Sequence, residues 1–145
     1  MKKVKLNKLF FTVIAGIILP AILSADETFT LSGTVGNLKK AGTVYIRLFN
    51  EYQFNKKIEP DFTVKINTED KDEVSFEFTD IPAGFYAIKC IQDVNGNGRL
   101  DKSFYGPKEP YGFYREKARI MKSPKFDELS FYIDKDIIGI KILLK

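Results

Sequence analysis

The densest oxygen chemistry in the chain lies in nine consecutive residues, Asp93-Val94-Asn95-Gly96-Asn97-Gly98-Arg99-Leu100-Asp101. Side-chain oxygens fall at relative positions 1, 3, 5 and 9, with Gly at 6 and an apolar residue at 8. A hard cation such as calcium takes six to eight oxygen ligands at about 2.3–2.6 Å. Alternate residues of a tight loop turn their oxygens toward one centre, and Gly98 permits the reversal that would bring the carbonyl of Arg99 inward. The candidate metal ligands are therefore Asp93, Asn95, Asn97, Arg99 through its carbonyl, and Asp101. An EF-hand loop closes with a bidentate Glu at position 12; here that position is Phe104. Further ligands would come from water, Glu109 or another loop. With two formal charges and no bidentate Glu, the expected affinity for Ca2+ is weak, on the order of 10⁻⁴–10⁻³ M. The same string also suits a plain turn, because Asx side chains bond their own backbone and Gly accepts positive φ. Only the acids at the two ends go beyond what a turn requires.

The remaining inventory narrows the chemistry. The chain of 145 residues holds no His and one Cys, Cys90. A Ser-His-Asp or Cys-His nucleophile is thus excluded, as are an internal disulfide and a Cys/His zinc site. No glycine-rich phosphate-binding string occurs. Asp101, Glu109 and Glu116 could supply a carboxylate pair for glycan hydrolysis, although no spacing rule joins them. Tyr105, Tyr111, Phe113 and Tyr114 could form a platform for a sugar or peptide, or cap one end of the fold. Cys90 falls on an inward position and reads as a buried, inert thiol. The pairs Lys39-Lys40 and Lys56-Lys57 read as solvated loop charge.

The elements that must position these groups are strands. Apolar residues alternate with polar ones in seven segments: Phe29–Val35, Val44–Leu48, Phe62–Ile66, Val74–Phe78, Tyr86–Cys90, Leu129–Ile133 and Ile138–Leu144. A period of two marks a strand with one face buried. Turn signals separate them, at Gly36-Asn37 and Gly42, at Glu69–Asp72, and at Pro82 and Gly84. No segment offers the crossover helix that parallel pairing through βαβ units needs. The expectation is an all-β fold, a seven-stranded antiparallel β-sandwich, with a barrel as the alternative. Residues 94–125 break the alternation, and residues 115–121 could form one or two helical turns.

Before the strands, Lys2, Lys3, Lys5 and Lys8 precede the uncharged run from Leu9 to Leu23, followed by Ser24 and Ala25. This is the layout of a secretory signal peptide. Fifteen apolar residues are short for a span, which needs about 20; a retained N-terminal anchor is the other reading. The expected organisation is a leader at residues 1–25 and one β-sandwich domain at 26–145. The formal charge of +4 resides in the leader, whose removal leaves nineteen basic and nineteen acidic residues. The basic balance is no argument for a nucleic-acid partner.

Three blocks carry a family resemblance. Phe78 and Ile81-Pro82-Ala83-Gly84-Phe85-Tyr86-Ala87-Ile88 are followed by Gln92-Asp93 through Asp101, and then by Gly106-Pro107-Lys108-Glu109-Pro110-Tyr111-Gly112-Phe113. In this order they resemble the exported bacterial family called domain of unknown function 2141. The first block alone is also similar to transthyretin-like and carboxypeptidase-regulatory modules. The resemblance covers residues 28–144 and implies a prealbumin- or immunoglobulin-like sandwich in the bacterial envelope, without an established activity. Family members often show His-Asp where this chain has Gln92-Asp93, and Gly-Tyr-Gly-Phe-Ser where Pro110 and Tyr114 flank Tyr111-Gly112-Phe113. The expectation is an exported, periplasmic or extracellular, non-catalytic protein. It would bind an envelope component, sugar or protein, and have no membrane span once the leader is gone. The alternatives are a small carboxylate-dependent glycan hydrolase and an accessory module of an assembly or transport machine.

Overall fold

A computed structural model describes residues 27–39, 41–116 and 123–145. The expected leader and most of the helical turns expected at 115–121 lie outside the described residues. All seven alternating segments contain strands, and they form two sheets packed face to face. The strands are β1 (Thr28–Gly36), β2 (Thr43–Asn50), β3 (Phe62–Asn67), β4 (Glu73–Pro82), β5 (Gly84–Asp93), β6 (Lys102–Ser103), β7 (Gly106–Pro107), β8 (Tyr111–Phe113), β9 (Phe131–Ile133) and β10 (Ile137–Leu143). Two short helices, α1 (Glu51–Lys56) and α2 (Phe126–Leu129), complete the set.

One sheet runs β10-β1-β4; the other runs β3-β2-β5-β8, with β9 also on β5. Strands β8 and β9 share one edge of β5, meeting Lys89–Ile91 and Gly84–Tyr86 respectively. Leu31, Val35, Val74, Phe76, Phe78 and Ile142 of the first sheet close on Val44, Ile46, Leu48, Ile88 and Cys90 of the second. Alternation places these side chains on the inner faces, and removing them from water stabilises the fold at roughly 25 cal/mol per Å² of apolar surface. Cys90 is fully buried, and burial pushes its thiol pKa up, as an inert core cysteine requires.

Three features depart from simple alternation. First, β10 runs parallel to β1, although every other strand pair is antiparallel. Second, the β1–β10 register slips between Leu31/Ile137 and Gly33/Ile140. Gly139 takes φ +83° at this bulge, so Ile138 faces solvent at 70% exposure instead of joining Ile140 and Ile142 inside. At the same place β10 approaches β1 so closely that a Cβ on Gly33 would stand 2.2 Å from the Ile140 carbonyl oxygen. Third, Leu129 ends α2 instead of opening a strand. With Phe126 it packs on Ala87, which lies on the outer face of β5.

Candidate functional site

Strand β5 ends at Asp93, opposite Thr43 of β2, and the oxygen-rich loop leaves from there. Asp93 is 1% exposed and organises the loop through both carboxylate oxygens. Oδ1 accepts the backbone N–H of Gly96 at 2.7 Å and of Asn97 at 3.2 Å. Oδ2 accepts the N–H of Gly98 at 2.6 Å. The convergence needs positive φ at Gly96 (+81°) and Gly98 (+76°), values that a side chain with Cβ rarely adopts.

The other loop residues complete a ring. Oδ1 of Asn95 accepts the Asn97 N–H at 3.2 Å, and Oδ1 of Asn97 accepts the Arg99 N–H at 3.0 Å. Their amide nitrogens donate to Asp101, Asn95 at 2.7 Å and Asn97 at 2.9 Å. The hydrogen bond from Asn97 and then that from Asn95 hold the Asp101 carboxyl below its ordinary pKa. Thus the structure brings together Asp93, Asn95, Asn97, Arg99 and Asp101, with Arg99 serving through its backbone N–H. Among the described residues, no group of three or more His, Cys, Asp and Glu stands ready for a metal ion. A cation here would draw on the asparagine oxygens and would compete with the two amide donors at Asp101.

Glu109 has a different part from the extra ligand considered from sequence. It is 8% exposed, and its oxygens accept the N–H of Val94 at 2.9 Å and of Asp101 at 3.0 Å. One side chain therefore clamps both ends of the loop. Lys108 N–H donates to the Asp101 carbonyl at 2.8 Å, adding a backbone rung. Gln92, fully buried, performs a similar service for the β1–β2 connection: Oε1 accepts Lys39 N–H at 2.7 Å, and Nε2 donates to the carbonyls of Lys39 and Ala41. Sequence spacing missed both clamps, because their partners lie at distances no local pattern encodes. The signal was a polar residue held at a strand end or beside Pro110.

The remaining candidates are dispersed. Of the three acids weighed for hydrolysis, Asp101 belongs to the ring, Glu109 to the clamp, and Glu116 pairs with Lys145 at 2.6 Å. The four aromatics make no single platform. Tyr114 packs edge-on against Phe131 at 5.0 Å, Phe113 joins the α2 cluster, and Tyr111 lies against Phe113 at 6.0 Å. Tyr105 stands apart, 96% exposed, beside Phe104 at 97%. Phe104, noted from sequence only as a missing ligand, thus shares the tip of the β6–β7 hairpin. The turn residues Gly106-Pro107 right after two adjacent aromatics were the signal for it.

A family model described as an uncharacterized protein conserved in bacteria, DUF2141, matches residues 34–140. The chain belongs to this family. No curated protein and no solved structure matches it. The DUF2141 match runs from within β1 into β10, so it includes the Asp93–Asp101 ring, the Glu109 clamp and the Phe104–Tyr105 hairpin. The matched region therefore takes in both the sandwich strands and the loop.

Proposed function

We propose that this DUF2141 protein is an exported, non-catalytic β-sandwich module that binds an envelope component and carries a loop tuned by weak calcium binding. The observation supporting the loop assignment is the Asp93–Asp101 ring itself. Four residues, Asp93, Asn95, Asn97 and Asp101, direct hard-oxygen chemistry into one short segment, with a buried carboxylate at one end and a solvated one at the other. When Asn95 and Asn97 turn their amide oxygens to the ion, calcium replaces two N–H donors at Asp101. The ion also neutralises the loop's two carboxylates. Competition with the existing hydrogen bonds keeps the affinity weak. The non-catalytic reading draws on the commitments of Glu109 and Glu116 to other partners.

Two measurements test this. A ligand that binds only the folded state adds RT ln(1 + [L]/Kd) to stability. With about 1 mM calcium and a Kd of about 0.1 mM, the gain is roughly 1.4 kcal/mol, or about 3–7 °C in Tm. Magnesium should do less, since it demands octahedral geometry and sheds water reluctantly. Asp101→Asn removes a solvated ligand charge without emptying the core, and it should abolish most of the calcium increment. Equal melting of the wild type in calcium and in chelator, or an equal calcium shift in both proteins, refutes the assignment. For export, mass spectrometry of the protein from its bacterial host should find an N-terminus within about two residues of Asp26, at the small-residue exit typical of leaders. A mass still containing Lys2 through Leu23 refutes cleavage.

A further inference from the structure

Two Asn-Gly steps, Asn95-Gly96 and Asn97-Gly98, lie inside the ring. An asparagine followed by glycine loses its side-chain amide without an enzyme. The backbone nitrogen of the glycine attacks Cγ of the asparagine, and the missing Cβ lets the two atoms approach. A succinimide closes as the new C–N bond forms and the bond from Cγ to Nδ2 breaks. The proton lost from the backbone nitrogen is made good on Nδ2, which leaves as ammonia. Water then adds across one of the two imide C–N bonds and leaves aspartate or isoaspartate. No oxidant or reductant enters.

The ring holds the groups that must react. The attacking N–H of Gly96 donates to Asp93 Oδ1 at 2.7 Å, and that of Gly98 to Oδ2 at 2.6 Å. Baring either nitrogen puts negative charge against a carboxylate, and like charge disfavours this. The departing amide nitrogens both donate to Asp101, Asn95 at 2.7 Å and Asn97 at 2.9 Å. A closed ring therefore blocks the reaction, and conversion waits for the ring to open.

The two steps are unequally guarded. Gly96 is exposed, with no atom within 4 Å of a Cβ placed on it. Gly98 is half-buried; its carbonyl accepts from Arg47 Nη2 at 3.4 Å, and its Cβ position lies 3.8 Å from the Tyr45 hydroxyl. Oδ1 of Asn97 holds the Arg99 N–H at 3.0 Å, whereas Oδ1 of Asn95 shares the Asn97 N–H with Asp93, each at 3.2 Å. Asn95-Gly96 is the freer step, and the ring cannot re-form around its product. Aspartate sets a carboxylate where the Asn95 amide donated to Asp101. Asp101 is itself ionised, its pKa held down by the Asn97 and Asn95 amides. Isoaspartate adds a methylene to the backbone and carries the Gly96 N–H away from Asp93.

We propose that Asn95-Gly96 is a spontaneous deamidation site gated by the ring, and that conversion at Asn95 locks the loop open by setting a second carboxylate against Asp101. No cation takes part, so the proposal is independent of the calcium assignment.

The full chain is incubated in chelator at mildly alkaline pH and then digested. Mass spectrometry follows the tryptic peptide Cys90–Arg99, beside the same peptide incubated free in solution, with fragmentation that separates aspartate from isoaspartate. In the folded chain Asn95 should convert before Asn97. It should do so at least about ten-fold more slowly than in the free peptide, because the ring must first give up a charge-assisted hydrogen bond. Asp101→Ala, a change at the surface, frees the departing nitrogen and should speed conversion at Asn95 about ten-fold. Asn95→Asp carries the product charge from the start and should melt about 3–7 °C below the wild type in chelator. Four results overturn the proposal: equal rates in the folded chain and the free peptide, conversion at Asn97 ahead of Asn95, an unchanged rate in Asp101→Ala, or wild-type melting of Asn95→Asp.

Discussion

Asp93→Ala is expected to lower stability by about 3 kcal/mol, with Tm falling by about 10–15 °C, in chelator as well as in calcium. Three backbone N–H groups converge on this one buried carboxylate, at 2.7, 3.2 and 2.6 Å. A hydrogen bond to an ionised group is worth roughly 1.5–3 kcal/mol. Gly96 and Asn97 are exposed, so their freed N–H groups regain water, and the total stays well below three full bonds. Asp93→Asn should recover less than half of the loss. Spacing alone suggests that Asn would keep the turn. The structure argues otherwise, because both carboxylate edges accept, and an amide turns one of them into a donor facing an N–H. Thermal and urea unfolding in chelator read both variants. Wild-type stability in Asp93→Asn would show that the convergence of N–H groups on Asp93 is not as described.

Gly33→Ala should be at least as damaging, about 3–5 kcal/mol, at the high end for overpacking. The added Cβ would meet the Ile140 carbonyl oxygen at 2.2 Å, its carbonyl carbon at 2.8 Å and its Cβ at 2.7 Å. Two of these atoms are backbone, which cannot rotate away as a side-chain tip does. Strand β10 must therefore slide or detach from β1. Hydrogen exchange should show residues 137–143 losing protection ahead of β2 and β5, together with a lower urea midpoint. A Tm within about one degree of wild type would place β10 in another register. By contrast, an Ala at Gly96 meets no atom within 4 Å, and its cost is confined to the positive φ.

Much of the sandwich was legible from period two, because one face of each sheet is buried and the other solvated. The exceptions share a cause: in each, a distant segment overrides the local pattern. Strand β5 is covered on part of its outer face as well: Ala87, which alternation turns to solvent, is buried under Phe126, Leu129, Phe54 and Phe113. The bulge at Gly139 reverses Ile138, and a glycine stands there for its φ of +83°, since a Cβ at that position would meet nothing within 4 Å. The parallel β1–β10 pair was hidden because the absence of crossover helices excludes βαβ units, not a parallel pair whose strands are joined through a whole second sheet. At the site, spacing along the chain found the ring, since its bonds span six residues or fewer. It could not assign Glu109, which reaches across fifteen residues to Val94, or see that Tyr111, Phe113 and Tyr114 each serve a different contact.

The place of β1 between β4 and β10 has a consequence in time. Its partners on one side come from residues 73–82 and on the other from 137–143. A chain made or delivered in sequence order exposes β1 first and must hold one edge of it unpaired for about a hundred further residues. At synthesis rates of about 5–20 residues per second, that interval is several seconds or more. During it, the N–H and C=O groups along β1 are open to any strand nearby, including residues 137–143 of another copy. The yield of correctly closed monomer therefore depends on how steadily the chain is supplied. Slow or crowded delivery favours exchange of β10 between copies, a vulnerability that belongs to strand order and not to the stability of the finished sandwich.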